Sequence, residues 1–131
     1  MKVAFITGAA GGIGYACVEK FDKEGYAIVA MDIVPTDKIG DKFAKIKECI
    51  YISGNLASAD DRQNAVEAAI NKYGKIDVLV NVAGVAPRVR ADILEMSEES
   101  YDFVMDINLK GTFFLTQLIS NQMISKWSLD E

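Results

Sequence analysis

The chain has 131 residues, half of them apolar, and its 19 acidic and 14 basic side chains give a net charge of −5. This composition predicts one domain, residues 1–131, with a core of its own. The sequence has no basic run, which argues against nucleic acid or an anionic membrane surface as a partner. No apolar run reaches the ~20 residues that span a bilayer, so we predict no membrane partner and a cytoplasmic location.

Two residue types narrow the possible chemistry. The sequence contains no histidine, which removes Ser-His-Asp catalysis, histidine-ligated zinc and imidazole acid–base chemistry. Cys17 and Cys49 lie in apolar surroundings without metal-ligand spacing. They are interpreted as reduced structural thiols, and no metal site is predicted.

Four short segments have the nearly continuous apolar character of parallel strands that are covered on both faces. They are residues 2–7, 26–31, 49–53 and 76–81.

The first helix is predicted over residues 12–24. Ile13, Cys17 and Phe21 recur at a spacing of four and define its inward face, and Gly25 supplies a C-cap.

A second helix is predicted over residues 59–73. Ser58 and Asp61 resemble a capping box at its start, and Gly74 closes it.

The remaining helical patterns differ in strength. Residues 36–48 carry a weak pattern with Phe43 and Ile46 as anchors, whereas a long helix is predicted from near Ser97 to beyond Ser120. Strands alternating with helices and joined by right-handed crossovers predict an α/β fold. The specific expectation is a Rossmann-type parallel sheet in the order 3-2-1-4 with helices on both faces.

The first strand runs into a glycine-rich turn that contains Gly8, Gly12 and Gly14. Glycines let the main chain approach a pyrophosphate, and the following helix aims its free N–H groups at that charge. Asp32 ends the next apolar run, where a ribose diol would meet a carboxylate. Each feature also has a structural explanation without a ligand. The glycine-rich turn could be an ordinary connection between a strand and a helix, and Asp32 could be a solvated turn residue before Pro35. Together they predict a dinucleotide site.

The acid at position 32 also bears on which dinucleotide binds. A carboxylate there accepts hydrogen bonds from both ribose hydroxyls of NAD and repels the 2′-phosphate of NADP. Neither Ile33 nor residues 9–12 supply a compensating positive charge. The sequence therefore predicts NAD in preference to NADP.

Three motifs resemble those of the short-chain dehydrogenases/reductases. Thr7-Gly-Ala-Ala-Gly-Gly-Ile-Gly14 is similar to the T-G-x-x-x-G-x-G turn of that family. Asn81-Val-Ala-Gly84 resembles its N-N-A-G segment, and Asp106-Ile-Asn-Leu-Lys-Gly111 its segment with a functional Asn. Residues 86–95 and 111–117 look most like the 3-oxoacyl-carrier-protein reductase or the sugar/alcohol dehydrogenase branch.

The resemblance implies a role for each matching residue. Gly8, Gly12, Ile13 and Gly14 would cradle the pyrophosphate of the cofactor, and Asp32 would hold its adenosine ribose. Asn55 and Leu56, after the third strand, would lie beside the adenine. Asn81, Ala83 and Gly84, after the fourth strand, would line the cofactor cleft. Asn108 would help to hold the family's lysine and a proton-relay water. Asn81 and Asn108 are also suited to pairing with backbone groups at bends, and the two roles are compatible.

The catalytic part of the family pattern is missing from this sequence. The family uses a Ser on a fifth strand and a Tyr-x-x-x-Lys pair, but none of the five tyrosines here is followed by lysine four positions on. Residues 127–131 do not resemble the start of a buried strand. The expectation is a family member that ends after its long helix. Its exposed fourth strand and last helix would then be covered in a dimer or higher oligomer.

Three functions remain open from the sequence. The chain is a half-domain that binds NAD(H) without turnover, an oxidoreductase completed by a partner chain, or a non-binding remnant that acts as an oligomerising or interaction module. The family chemistry in question is hydride transfer between nicotinamide and a ketone or alcohol.

Overall fold

The structure, a computed structural model, describes residues 1–126. The regular elements follow one another as β1 (Val3–Thr7), α1 (Gly12–Lys23), β2 (Ala27–Asp32), β3 (Cys49–Ser53), α2 (Ala59–Tyr73), β4 (Val78–Val80), α3 (Glu98–Met105), a π-helical segment (Asp106–Gly111) and α4 (Thr112–Lys126). The alternation of strands and helices confirms the α/β class.

The strands form one parallel sheet in the order β3-β2-β1-β4, as predicted. In the central pair, Phe5 lies opposite Val29. Every residue of β1 is buried, because side chains alternate between two faces that are both covered.

Helices cover both faces of the sheet. On one face, the odd-numbered side chains of β1, such as Phe5, pack with residues of α2 and α4. On the other face, the even-numbered side chains, such as Ile6, pack against Val18 of α1 and Ile46 of the β2–β3 connection. The Rossmann-type arrangement is therefore confirmed.

Ser58 and Gly74 cap α2 as predicted, but Asp61 does not complete a capping box, because its Oδ2 accepts from the Asn55 amide while the Ser58 amide donates to the Asn55 carbonyl. Ser58 Oγ accepts a hydrogen bond from the Asp61 amide at 3.1 Å. Gly74 ends the helix with φ of 79°, a left-handed conformation that glycine adopts without strain.

Two predicted segments are shorter or less regular than expected. Residues 36–48 form a 3-10 turn at Thr36–Lys38 followed by turns rather than a helix. Phe43 and Ile46 do pack inward, but two anchors bury too little of a thirteen-residue stretch to hold a regular helix. β4 comprises only Val78–Val80, and Ile76, although buried, lies before it.

The predicted inward face of α1 is wrong at its first position. Ile13 is 74% exposed, whereas Val18 is fully buried. Ile13 lies in the first turn of α1, where its side chain lines the cleft described below instead of the core.

The predicted long helix is continuous but contains a π-helical segment at Asp106–Gly111. A Cβ on Gly111 would collide with the carbonyl oxygen of Leu56. The missing side chain lets the segment pack against the backbone after β3. π-Helical segments widen a helix locally and occur often at functional sites.

Beyond that segment, α4 turns Leu115 and Ile119 toward the core. Both are buried, whereas Phe114 is 37% exposed. The π-helical segment rotates the register of the following helix, which periodicity alone does not reveal.

The prediction for residues 127–131 lies outside the described residues. Within residues 1–126, no helix combines the length and the apolar character needed to cross a membrane.

Candidate functional site

A cleft of about 400 Å³ opens at the carboxyl ends of the strands, where parallel sheets of this kind bind ligands. Its walls come from the turn after β1, the end of β2 and the segments that follow β3 and β4. The lining residues are Thr7, Gly8, Gly11, Ile13, Met31, Asp32, Ile33, Gly54, Asn55, Leu56, Val82, Ala83, Gly84, Val85 and Ile107.

The glycine-rich turn forms the floor of this cleft. Gly8 has φ of 63°, and a Cβ on it would lie 2.9 Å from the Ala83 Cα and amide nitrogen. A Cβ on Gly14 would collide with the Gly8 carbonyl. These glycines are therefore required by the close approach of the turn after β1, the start of α1 and the segment after β4.

The outer part of the turn is open instead of crowded. A Cβ on Gly11 or Gly12 would meet no atom within 4 Å. The N-terminus of α1 has no side-chain cap, unlike α2, which is capped by Ser58. The first turn of α1 thus presents amide donors and the positive end of its dipole to the cleft.

Asp32 lies at the rim, where its carboxylate is held by two backbone amides. Oδ2 accepts from the Ala10 amide at 2.9 Å, and Oδ1 accepts from the Val34 amide at 3.3 Å. The first bond joins the end of β2 to the glycine turn. A carboxylate has about four acceptor positions, so each oxygen can accept a further hydrogen bond from a ligand hydroxyl.

Thr7 connects the floor of the cleft to its β4 wall. It is 1% exposed, and its Oγ1 accepts hydrogen bonds from the Val82 and Ala83 amides, each at 3.1 Å. The Thr7 hydroxyl oxygen thus takes the place of a sheet acceptor for the Val82 and Ala83 amides, which lie after β4 and outside the sheet. Thr7 belongs to the family motif, but this bridging role depends on the path of residues 81–83 and is not evident from the sequence.

Asn55 and Leu56 form the wall after β3. The Asn55 amide donates to Asp61 Oδ2 at 2.8 Å, and its side-chain Oδ1 accepts from the Ala57 amide at 2.9 Å. The Asx-type turn holds the Asn55 side chain in place at the cleft. Leu56 is buried, and its carbonyl accepts from the Arg62 guanidinium at 2.6 Å.

Two predicted asparagines lie outside the cleft lining. Asn81 donates through Nδ2 to Thr116 Oγ1 of α4 at 3.1 Å. Asn108, in the π-helical segment, bonds to the backbone of Val85. Both asparagines therefore brace β4 and the segment after it against the last helix.

The structure thus brings most of the predicted site residues into one cleft. Seven of them line it directly: Gly8, Ile13, Asp32, Asn55, Leu56, Ala83 and Gly84. Gly12 and Gly14 shape the turn, whereas Asn81 and Asn108 support the wall from behind. Residues 1–126 hold no cluster of His, Cys, Asp and Glu that could bind a metal ion.

Comparisons with known proteins agree with this geometry. The sequence model of the short chain dehydrogenase family matches residues 2–128. The chain is 39% identical over 132 residues to a 3-oxoacyl-[acyl-carrier-protein] reductase of Thermotoga maritima, covering 95% of this chain and 51% of that protein. It is 36% identical to an NAD-dependent glycerol dehydrogenase of Listeria innocua, covering 95% of this chain and 48% of that protein.

A solved structure shows the same likeness in three dimensions. The 3-oxoacyl-[acyl-carrier protein] reductase of Brucella melitensis in complex with NAD superimposes with a TM-score of 0.87 at 28% identity, over 98% of this chain and 51% of that one. The chain belongs to the short-chain dehydrogenase family, which confirms the assignment made from the three motifs. It spans about half the length of the curated relatives that it matches.

Proposed function

We propose that this chain binds a nicotinamide dinucleotide in the cleft and is the cofactor-binding part of an oxidoreductase that transfers hydride between nicotinamide and a ketone or alcohol. The observation that carries the proposal is the position of Asp32, whose carboxylate is bonded to the Ala10 amide inside the glycine turn. A ribose acceptor and a pyrophosphate-binding turn are thereby adjacent, as one dinucleotide requires. The bound nicotinamide would supply the hydride chemistry.

The residues of the cleft suit successive parts of such a ligand. Gly8, Gly12, Ile13 and Gly14 would present backbone amides to the pyrophosphate, and the open space beside Gly12 would leave room for it. Asn55 and Leu56 would flank the adenine, and Asn55 Oδ1, which accepts from the Ala57 amide, has a second lone pair that can accept a hydrogen bond from the adenine amino group. Ala83 and Gly84, braced by Asn81, would line the path toward the nicotinamide.

We propose further that NAD is preferred over NADP. Asp32 supplies the negative charge at the ribose position, and the adjoining lining residue Ile33 is uncharged. A 2′-phosphate placed there would meet a carboxylate without a nearby cation. Such repulsion produces selectivity by weakening the binding of NADP, not by strengthening the binding of NAD.

Turnover is a separate matter from binding. The 131 residues contain no Tyr-x-x-x-Lys pair, the unit that moves the proton in this family. We propose that this chain alone binds the cofactor without turnover. Catalysis would then require further residues from the same protein or from a partner chain.

A fluorescence titration with NADH and NADPH tests the proposal. Wild-type protein should bind NADH saturably and NADPH more weakly. Asp32→Asn removes the charge and should narrow the NADH preference about tenfold, equivalent to about 1.4 kcal/mol. Asp37→Asn makes the same change at an exposed residue outside the cleft lining and should leave the preference unchanged. If folded protein binds neither nucleotide, the alternative of a non-binding interaction module is favoured.

We also propose self-association through the last helix and the β4 edge. Phe113 is 60% exposed, and its ring packs edge-on against that of Phe114, 5.1 Å between centroids. β4 lies at an edge of the sheet, and exposed aromatic rings and unpaired strand edges each favour burial by another surface. Light scattering at micromolar concentration should detect a dimer or larger species, weakened by Phe113→Asp but not by Val89→Asp in the exposed loop. A monomer would contradict this proposal.

A further inference from the structure

Tyr51 of β3 contacts the backbone that carries Asp32, although it does not line the cleft itself. Its hydroxyl donates to the Val34 carbonyl at 2.5 Å and lies 3.4 Å from the Asp32 carbonyl. The Asp32 carbonyl already accepts from the Gly54 amide at 2.9 Å. The main hydrogen bond of Tyr51 is therefore the one to Val34.

The position of this hydroxyl is fixed by aromatic packing. The Tyr51 ring stacks on Phe43 with centroids 5.3 Å apart, and Phe43 meets Tyr15 of α1 edge-on at 5.8 Å. The Tyr15 hydroxyl donates to the Lys42 carbonyl at 3.0 Å. The three rings tie β3, the β2–β3 connection and α1 together beneath the rim of the cleft.

Val34 is held from two sides as a result. Its carbonyl accepts from Tyr51, and its amide donates to Asp32 Oδ1 at 3.3 Å. The other carboxylate oxygen, Oδ2, is bonded to the Ala10 amide. Fixing the Val34 backbone therefore restricts how the Asp32 carboxylate can turn.

We propose that Tyr51 is a positioning residue that holds the Asp32 carboxylate in its ribose-binding orientation through Val34, and thereby sets the selectivity for NAD over NADP. The inference rests on the proposed function of the cleft. A carboxylate free to rotate would bond less well to a ribose diol and could turn away from a 2′-phosphate. Burial and the charge of Asp32 raise the pKa of Tyr51 to about 12, so the hydroxyl remains a donor across the neutral range.

Tyr51→Phe removes the hydroxyl and keeps the ring that stacks on Phe43. Tyr73→Phe is the matched control, because the Tyr73 hydroxyl also donates one hydrogen bond, to Glu48 Oε1 at 3.0 Å. Tyr73 ends α2, and Glu48 precedes β3, so that pair lies at the amino end of the sheet, opposite the cleft.

The first readout is amide hydrogen exchange in the ligand-free protein. Tyr51→Phe should speed exchange at Ala10 and Val34 about two- to tenfold, the effect of one lost hydrogen bond. The Phe5 amide in β1 reports global stability and normalises the comparison. Tyr73→Phe should leave the normalised rates at Ala10 and Val34 unchanged.

The second readout is the ratio of NADPH to NADH dissociation constants, which should fall about threefold in Tyr51→Phe and stay constant in Tyr73→Phe. Unchanged normalised exchange at Ala10 and Val34 in Tyr51→Phe would overturn the inference. Faster exchange with an unchanged ratio would also overturn it. Faster exchange in a protein whose wild type binds neither nucleotide would support Tyr51 as the residue that positions Asp32 and contradict only the proposed function.

Discussion

Asn108 holds the backbone of Val85 with both polar atoms of its side chain. Oδ1 accepts from the Val85 amide and Nδ2 donates to the Val85 carbonyl, each at 2.8 Å. The reciprocal pair joins the π-helical segment to the segment after β4, and it fixes the orientation of the side-chain amide. Asn108 thus performs in this structure the backbone-pairing role that the sequence allowed for it.

Asn108→Ala removes both bonds and should lower the free energy of unfolding by about 1–2 kcal/mol. The expected loss is near the lower end, because Asn108 is exposed and water can replace part of the pairing. Urea unfolding measures it. Asn71→Ala, an exposed position on α2, should be neutral or slightly stabilising because alanine favours helix. Equal midpoints for the two variants would contradict the role assigned to Asn108.

Thr7→Val should destabilise the fold by about 1–3 kcal/mol, because it leaves the Val82 and Ala83 amides without their acceptor while conserving side-chain shape. Thr7→Ser retains the hydroxyl and should recover most of that loss apart from the missing methyl group. Thermal unfolding of the three proteins distinguishes hydrogen bonding from packing. If Val and Ser variants unfold at the same temperature, the hydroxyl is not the stabilising group.

Gly8→Ala should cost more stability than Gly40→Ala, although the two glycines have the same φ of 63°. Each substitution carries the penalty of a left-handed backbone, about 1–2 kcal/mol. Only at Gly8 would the new Cβ also press on the Ala83 backbone, whereas Gly40 has no neighbour within 4 Å. Denaturant unfolding should therefore separate the two variants. Equal losses would mean that the close approach of the turn to the Ala83 backbone does not contribute to stability.

Cys49 should be nearly unreactive in the folded protein. Burial raises the pKa of its thiol to about 12 from 9.0, and the thiolate is the form that reacts. At pH 8, alkylation at Cys49, followed by peptide mass spectrometry, should be at least about a hundredfold slower in native protein than in urea.

The same shift gives a direction for pH-dependent stability. A thiol pKa that is higher in the folded state means that the folded chain keeps a proton which the unfolded chain loses. The contribution of the protonated Cys49 thiol to the free energy of unfolding is therefore complete below about pH 9 and is lost as the pH rises toward 12. Alkylation of Cys49 as fast in native protein as in urea would contradict a partly buried thiol that stays protonated.

The sequence predicts well those features that depend on local chemistry. Gly8 and Asp32 share the cleft because Gly8 follows β1 and Asp32 ends β2, and these parallel strands are neighbours in the order 3-2-1-4. The capping geometry of Ser58 is equally local. In each case, a backbone requirement selects a recognisable residue type.

Features that depend on packing between distant segments could not be predicted in the same way. Tyr51 is read as a strand residue, and its bond to Val34 depends on Phe43 and on the irregular course of residues 36–48. Ile13 fits an inward helical stripe, but the cleft takes the place of the core at that turn. The rotated face of α4 follows from the π-helical segment, which has no periodic signature.

The central claim is that the cleft binds a nicotinamide dinucleotide, and amide chemical shifts of the ¹⁵N-labelled chain during addition of NAD⁺ test it most directly. Saturable shifts should concentrate at Gly8, Ala10, Gly11, Ile33 and Asn55, whereas amides near Tyr73 and Lys75 at the opposite end of the sheet should stay in place. No saturable shifts in folded protein, or shifts confined to residues outside the cleft, would contradict the account.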